Sequence, residues 1–381
     1  VQTSTASTKP STISSDKDKK TIDNNTNTPS QEQAVKKVQP FLDLKISGYL
    51  QTGYRFTFND PKLLRLGESD GFYVRRARLK TSAEIWNFQV VLSIDGAYDR
   101  SADPLDVSPA TRKLFAELRD AYISYRHPSG FFVTAGQDKV PFGIHSDRST
   151  ADERFILFPL IAEGEDISFG YQVRPIIPGR DIGLQVGFNR VFQQIGFNLA
   201  AMVYNGNGSN RFANDSDTPA VAARLNLTIG SLLKIGGSFL WNKRRIGQLP
   251  NLLDESDLAF GADLSFQYAG FFLEGEFAAR TTSHITIQQK DEFAYGFRAD
   301  TGYLIKAIGL EIALRVEMYD PSDQFDDDRL LYISAGLNWY YRIWNNHSIA
   351  VRLFYTFKLE QTEARSLNND QINLLLQYRF D

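Results

Sequence analysis

The stretch Phe41-Leu42-Asp43-Leu44-Lys45-Ile46-Ser47-Gly48-Tyr49-Leu50-Gln51-Thr52-Gly53-Tyr54-Arg55-Phe56-Thr57-Phe58 decides the fold. Leu42, Leu44, Ile46, Leu50, Tyr54, Phe56 and Phe58 share one parity. Asp43, Lys45, Ser47, Gln51, Arg55 and Thr57 share the other. Alternation with period two marks a strand with one apolar face. A run of about eighteen residues exceeds the five or six usual in soluble sheets.

The same texture continues to the C-terminus. Tyr73, Ala77, Leu79, Ala83 and Ile85 alternate with Arg76, Arg78, Lys80, Ser82 and Glu84. Leu258, Phe260, Ala262, Leu264, Phe266 and Tyr268 enclose Asp263, Ser265 and Gln267. Ile349, Val351, Leu353, Tyr355 and Phe357 alternate with Arg352, Thr356 and Lys358, and the pattern closes with Ile372, Leu374, Leu376, Tyr378 and Phe380. The periodicity predicts sixteen strands, with cores near 41–58, 71–86, 87–98, 113–127, 130–140, 180–189, 195–205, 219–229, 232–243, 257–268, 270–280, 291–304, 307–319, 329–341, 347–360 and 370–380.

The connections carry the stronger argument, because they alternate short and long. Trp86-Asn87, His127-Pro128-Ser129-Gly130 and Tyr268-Ala269-Gly270 are short; 59–70, 99–112, 205–218, 244–256, 281–290 and 320–328 are long. A soluble sandwich has no reason to keep that rhythm. An outer-membrane barrel does, with short periplasmic turns, long outer loops and an even strand count. The bilayer also demands that every backbone group be paired, with one face in lipid and the other in water. The expected fold class is therefore all-β, a transmembrane antiparallel β-barrel. Tyr54, Phe56, Phe58, Trp241, Trp339, Tyr341 and Trp344 stand where an interfacial aromatic girdle belongs.

Composition removes other classes. There is no cysteine, so disulfide scaffolds, thiol catalysts and Cys-based zinc sites are excluded. A net charge of −3 leaves no footprint for nucleic acid. Residues 1–40 differ from the rest: sixteen are Ser, Thr or Asn and none is aromatic, so this segment reads as a disordered periplasmic leader before a barrel domain at 41–381. It has no apolar core of a signal peptide, so any export signal is expected to have been removed before Val1.

One connection breaks the size pattern. About 37 residues lie between Gly143 and Gly179, carrying His145, Asp147, Arg148, Asp152, Glu153, Arg154, Glu163, Glu165, Asp166 and Arg174 around apolar Phe155-Ile156-Leu157-Phe158. Loops this long inside a compact fold are usually functional. A wide barrel needs its lumen narrowed to discriminate among solutes. The loop is expected to fold inward as the constriction; Ile167–Val173 as a seventeenth strand would disturb the turn rhythm. The basic residues of the water-facing parity, Lys45, Arg55, Arg76, Arg78, Lys80, Arg352, Lys358 and Arg379, are the expected pore lining. Arg76, Arg78 and Lys80 should form a ladder with steps of about 7 Å, opposed to an acidic loop across the eyelet.

These residues resemble the phosphate-selective porin O and P family of Gram-negative outer membranes. The matching stretches, in family order, are Gly48-Tyr49-Leu50-Gln51-Thr52-Gly53-Tyr54, Phe72-Tyr73-Val74-Arg75-Arg76-Ala77-Arg78-Leu79, Leu118-Arg119-Asp120-Ala121-Tyr122-Ile123-Ser124-Tyr125, Gly136-Gln137-Asp138-Lys139-Val140-Pro141-Phe142-Gly143, Gly179-Arg180-Asp181-Ile182-Gly183 and Tyr204-Asn205-Gly206-Asn207-Gly208. The Arg-Arg-Ala-Arg and Pro-Phe-Gly pieces are the most specific, and the resemblance covers about 41–381. It implies a trimeric sixteen-stranded porin whose third long loop enters the lumen, surrounded by outer-membrane lipid and lipopolysaccharide.

Two departures matter. Phosphate selectivity in the family rests on basic linings, whereas this loop has six carboxylates against three arginines. The inward parity also offers Asp263, Glu274, Glu276, Asp300, Glu311 and Glu317, relieved by Arg280, Arg298 and Arg315. The expected function is a water-filled pore for passive diffusion of small hydrophilic solutes and ions, with modest anion preference at most; a dedicated phosphate pore is the sharper version. A plugged structural or adhesive barrel is the second reading. A rim enzyme is the third, and the sequence gives it little: His127 and His347 sit at predicted turns, His284 in an outer loop, and His145 beside Ser146 and Asp147 does not make a triad. Asn205-Gly206-Asn207-Gly208 with Asp215 and Asp217 lacks calcium-loop spacing and reads as a Gly/Asn turn. Neither a cofactor nor a metal is expected.

Overall fold

The computed structural model describes residues 42–58, 71–98, 114–163, 165–167, 171–248, 251–286, 289–326, 328–344, 346–360 and 369–381. The predicted leader at 1–40 and the predicted connections 59–70 and 99–112 lie outside the described residues. No helix among the described residues is long and apolar enough to cross a membrane.

The strands are β1 (Asp43–Thr57), β2 (Gly71–Ile85), β3 (Phe88–Tyr98), β4 (Leu114–Arg126), β5 (Phe131–Lys139), β6 (Glu165–Ile167), β7 (Tyr171–Val173), β8 (Arg180–Phe192), β9 (Ile195–Tyr204), β10 (Ala220–Ile229), β11 (Leu233–Gln248), β12 (Asn251–Tyr268), β13 (Phe271–His284), β14 (Glu292–Ile305), β15 (Leu310–Asp320), β16 (Leu330–Trp344), β17 (His347–Glu360) and β18 (Gln371–Phe380). All but β6 and β7 form one closed antiparallel barrel of sixteen strands. β18 closes on β1, with Leu50 opposite Tyr378, and β5 pairs directly with β8. Closure leaves no unpaired edge, the condition a sheet must meet in hydrocarbon.

The two faces separate as the alternation requires. Leu44, Leu92, Leu184, Phe260, Ile312 and Leu353 project outward and are exposed. The intervening residues face inward and are buried, among them Ser93, Asp95, Asp263, Glu274 and Asn373. In water the outward face would be a continuous apolar surface far larger than a monomeric soluble protein tolerates; lipid is its proper solvent.

Two details differ from the sequence expectation. In β2, Gln51 is opposite Arg76 but Thr52 is opposite Val74, so Arg75 is an extra, bulged residue. A bulge reverses the side-chain parity beyond it. Tyr73, expected on the lipid face, therefore turns inward beneath the Arg55 guanidinium, 5.3 Å from its ring centroid. Phe72 takes the outward position, 89% exposed, with its ring 5.0 Å from that of Tyr54. Second, the predicted long connection at 244–256 is mostly strand: Arg244 is opposite Glu255 and Gln248 opposite Asn251, so β11 and β12 continue past the point where alternation of large apolar residues stops. As expected, Ile167–Val173 supplies no seventeenth barrel strand: β6 and β7 pair with each other alone, inside the long connection.

Candidate functional site

The connection from β5 to β8 enters the lumen through Pro141-Phe142-Gly143. Gly143 has φ +70°, and a Cβ there would lie 2.4 Å from Glu276 Oε1, so only glycine fits. Phe142 is fully buried, packed on the bare backbone of Gly261. A short helix, α1 (Gly143–Asp147), follows. Its first amides donate to the far wall: Gly143 N to Ser238 Oγ at 3.1 Å and Ile144 N to Glu276 Oε1 at 2.8 Å. Lys139 Nζ donates to the His145 carbonyl at 2.8 Å and to that of Arg148. Anion at the start and cation at the end suit the helix's own field.

Beyond α1, successive residues are tied to different parts of the wall. Asp147 accepts from Arg224 Nε at 3.3 Å, Asn226 at 2.9 Å and Lys234 Nζ at 2.7 Å. Burial opposes its charge, but Arg224 and Lys234 outweigh that and hold the carboxyl below its usual range. Arg148 makes a two-pronged pair with Glu274, at 2.9 and 2.5 Å. The Ala151 carbonyl accepts from Arg352 at 3.3 Å and Gln377 at 3.2 Å, and Asp152 pairs with Arg379 at 2.5 Å. Arg154 then returns to Glu274 at 3.0 Å and Glu311 at 3.2 Å, lying over the Phe272 ring at 4.0 Å.

In the ring of sixteen, β10, which carries Arg224, and β18, which carries Arg379, are eight strands apart and so diametrically opposite. Four residues of loop, 148–151, join their partners, Asp147 and Asp152. Such contacts on inward side chains of opposed walls place this segment across the lumen. Several of its partners are also low in the barrel. Glu311 is the second residue of β15, which starts from the short turn at 306–309, and Arg379 is the last but one of β18.

The rest of the loop climbs back. Phe155 packs on Phe354 at 5.1 Å between ring centroids, the Leu157 carbonyl accepts from Arg315 at 2.9 Å, and Leu160 N, opening α2 (Leu160–Glu163), donates to Glu317 at 2.8 Å. Glu163 reaches Arg76 at 3.8 Å. Arg174 donates to Asp257 at 3.2 Å, and Arg280 donates to the Pro175 carbonyl at 2.8 Å. Inside the loop, Glu153 joins His145 at 2.9 Å and Arg148 at 3.9 Å. Glu153 is deeply buried, which disfavours its charge, yet His145 and Arg148 more than compensate and its pKa falls below the ordinary glutamate range.

The expected lining residues divide into groups. Arg76, Arg352 and Arg379 meet the loop, as above. Arg78 instead pairs with Asp95 on the adjacent strand at 2.5 Å, and Arg55 donates to Asn373 at 3.2 Å. Lys358 stands 4.8 Å from the Tyr332 ring centroid, and Lys45 sits at the β1 start between Asp43 at 3.0 Å and Glu84 at 3.9 Å. Lys80 faces inward, opposite Ser47 and Ser93, with no hydrogen bond or ion pair to any described residue. The expected opposition of a basic ladder to an acidic loop is thus corrected: among the described residues, only Arg76 of the ladder meets a loop carboxylate. The loop's arginines face the acidic wall instead, because a guanidinium cannot be buried beside Glu274, Glu311 and Asp257 without pairing, and each carboxylate needs one. The side chains of Glu165 and Asp166 lie outside the described residues.

Arg224, Lys139 and Arg180 were not singled out from the sequence. Arg224 binds Asp263 bidentately at 2.6 and 3.0 Å, and Arg180 pairs with Asp120 at 2.7 Å. Arg224 and Asn226 share the inward parity of β10, a signal that was available. The histidines are engaged elsewhere: His127 with Ser129 Oγ at 2.8 Å, His347 with Tyr378 at 2.6 Å and His284 with Glu255 at 3.1 Å. Ser146 Oγ donates to the Gly143 carbonyl at 2.9 Å. The Gly206 and Gly208 amides donate to Asp181 Oδ2 at 3.0 and 2.9 Å, making that motif a backbone cradle for a strand carboxylate.

A family model for phosphate-selective porin O and P matches residues 45–256. Similar folds include the anion-selective porin from Comamonas acidovorans, with TM-score 0.60 and 13% identity over 89% of this chain and 99% of that one. OmpT of Vibrio cholerae in a trimer form has TM-score 0.57 and 10% identity, covering 89% and 99%. Salmonella typhi OmpF in complex with daunomycin has TM-score 0.57 and 14% identity, covering 88% and 97%. No curated protein sequence matches the chain.

Proposed function

From the premise that this chain belongs to the phosphate-selective porin O and P family, we propose that it is a weakly selective diffusion pore rather than a dedicated phosphate pore. The protein is an outer-membrane channel. What is inferred is its preference. The observation that carries the reading is the pairing of loop and wall: Arg148, Arg154 and Arg174 on Glu274, Glu311 and Asp257, and Asp147 and Asp152 on Arg224 and Arg379. Charge that is already paired gives a short-range, two-signed field, whereas ion selectivity needs rings or walls of one sign. Lys80, without an ion pair among the described residues, supports a modest anion preference.

Within this reading, Arg76, Arg352 and Arg379 act as posts that hold the loop, and Lys45, Arg55, Arg78, Lys80 and Lys358 line the passage. Loop residues His145 to Glu163 form the constriction. The function requires no chemistry from His145, which Glu153 holds. Assembly as a homotrimer is proposed on the trimer form of OmpT, whose barrel is similar.

Planar bilayers with a potassium chloride gradient test the proposal. A reversal potential of a few millivolts toward the chloride value is expected. A near-ideal chloride or phosphate potential would reject weak selectivity, and strong cation selectivity would reject the anion preference. Absence of any conductance, with no swelling of liposomes in small sugars, would favour the plugged barrel.

A further inference from the structure

On the side of the loop where Arg174 returns to the wall, β11 to β15 enclose a cavity of about 100 Å³. Arg174, Arg244, Arg280, Glu255, Glu292 and Tyr319 are among its lining residues. Its charges do not cancel locally. Asp257 is occupied by Arg174, by Arg244 at 3.1 Å and by Thr282 at 2.8 Å. Glu255 is occupied by Arg244 and by His284 at 3.1 Å. Two carboxylates thus absorb two guanidiniums, and the third, Arg280, is left over. Its Nη1 donates to the Pro175 carbonyl, while its Nε is buried without a hydrogen-bond partner. Glu292, in the same cavity, makes no hydrogen bond or ion pair with any described residue.

One small cavity therefore holds a cation with an unfilled donor and a carboxylate with unfilled acceptors. Those two groups make no salt bridge with each other. A buried guanidinium Nε without an acceptor is costly, and a planar donor edge suits a carboxylate. A plain anion satisfies Arg280 but meets Glu292 as a like charge; a plain cation meets three arginines. A solute with both signs a few atoms apart satisfies both. The volume is that of about three waters, which matches a small amino acid and excludes a large peptide.

We propose that this cavity is a binding site for small α-amino-acid zwitterions, the carboxylate on Arg280 and Arg174 and the ammonium on Glu292. The site concentrates amino acids beside the constriction before they pass it. This deepens the diffusion-pore reading above and rests on it for transport, though not for binding.

The test uses the full chain in detergent, with L-alanine as the probe and saturation-transfer NMR as the readout. Alanine is expected to bind the wild type. Glu292→Gln, which removes the charge and no side-chain hydrogen bond or ion pair with a described residue, should weaken it about tenfold or more. Lactate keeps the carboxylate and replaces the ammonium by a hydroxyl. It should bind the wild type no better than alanine binds the variant. Equal binding of lactate or inorganic phosphate, an unaffected variant, or no alanine binding would each overturn the proposal. Potassium chloride current through the wild type separates the two readings. Current without alanine binding leaves the channel and removes the site; alanine binding without current does the reverse.

Discussion

Asp152 and Arg379 meet at 2.5 Å on one wall of the barrel, directly across the lumen from the contact of Asp147 with Arg224. The loop between them is therefore a cross-strut held at both ends, not a flap lying along one side. Its apolar segment reinforces the placement: Leu160 and Ile161 pack with Tyr319, Leu330 and Tyr332 in one buried cluster, and Phe155 and Ile156 with Phe272 and Phe354 in another. The loop's apolar side chains thus cover apolar patches of the wall rather than facing water.

The Asp152–Arg379 pair is partly exposed, with side-chain accessibilities of 49% and 28%. Such pairs contribute below about 1 kcal/mol. Asp152→Asn is therefore expected to leave the thermal midpoint of the barrel almost unchanged while loosening one end of the strut, which the Ala151 carbonyl still holds on Arg352 and Gln377. Single-channel records should show larger current noise and closure at lower voltage than the wild type. A variant with wild-type noise and threshold would mean the strut needs no second anchor.

Gly143 is the hinge by which the strut enters. A side chain there faces both the left-handed backbone, costing about 1–3 kcal/mol, and the Glu276 carboxylate. Gly143→Ala should lower stability by that order and give heterogeneous conductances, since α1 can no longer seat its amides on Ser238 and Glu276. Homogeneous wild-type conductance in this variant would show that the turn has slack.

Glu153 gives the strut a pH limit. Its folded pKa lies below the unfolded value, so the folded state binds fewer protons than the unfolded chain. The stabilisation is complete above the ordinary glutamate pKa of about 4.3 and is lost as pH falls through the depressed folded value. Conductance noise should rise on acidification below about pH 4. Glu153→Gln, which removes the titrating group, should abolish that rise. A noise level independent of pH down to 3 in the wild type would remove Glu153 from the account.

Most of the barrel was legible because lipid and water impose a period of two on every strand, and Leu353, Phe260 and Ile312 report it directly. What escaped the sequence has identifiable causes. The Arg75 bulge costs one residue of register, and nothing in Tyr73-Val74-Arg75-Arg76 tells which side of it Tyr73 lies on. β11 and β12 outrun the hydrocarbon, so Arg244 and Glu255 look like loop although they pair as strand. For the loop, length and position were readable, but its partners were not. Which wall takes Arg154 and which takes Asp152 depends on contacts more than a hundred residues apart in sequence.

Pairing, not residue type, should decide which cations matter for selectivity. Arg78 and Lys80 are neighbours on the inward face of β2, yet Arg78 is spent on Asp95 while Lys80 makes no ion pair with any described residue. Lys80→Gln is expected to shift the reversal potential toward zero or beyond, because it removes a charge that no carboxylate screens. Arg78→Gln removes the closest partner of buried Asp95, leaving Arg119 at 3.9 Å and Arg76 at 4.0 Å, and should act mainly on stability, by less than the about 3–5 kcal/mol of a fully broken buried pair. Measured side by side in the same salt gradient, the two variants separate the ideas. If Lys80→Gln leaves the potential where it was, the anion preference does not come from unpaired charge on this wall, and the weak-selectivity reading loses the element that gives it a sign.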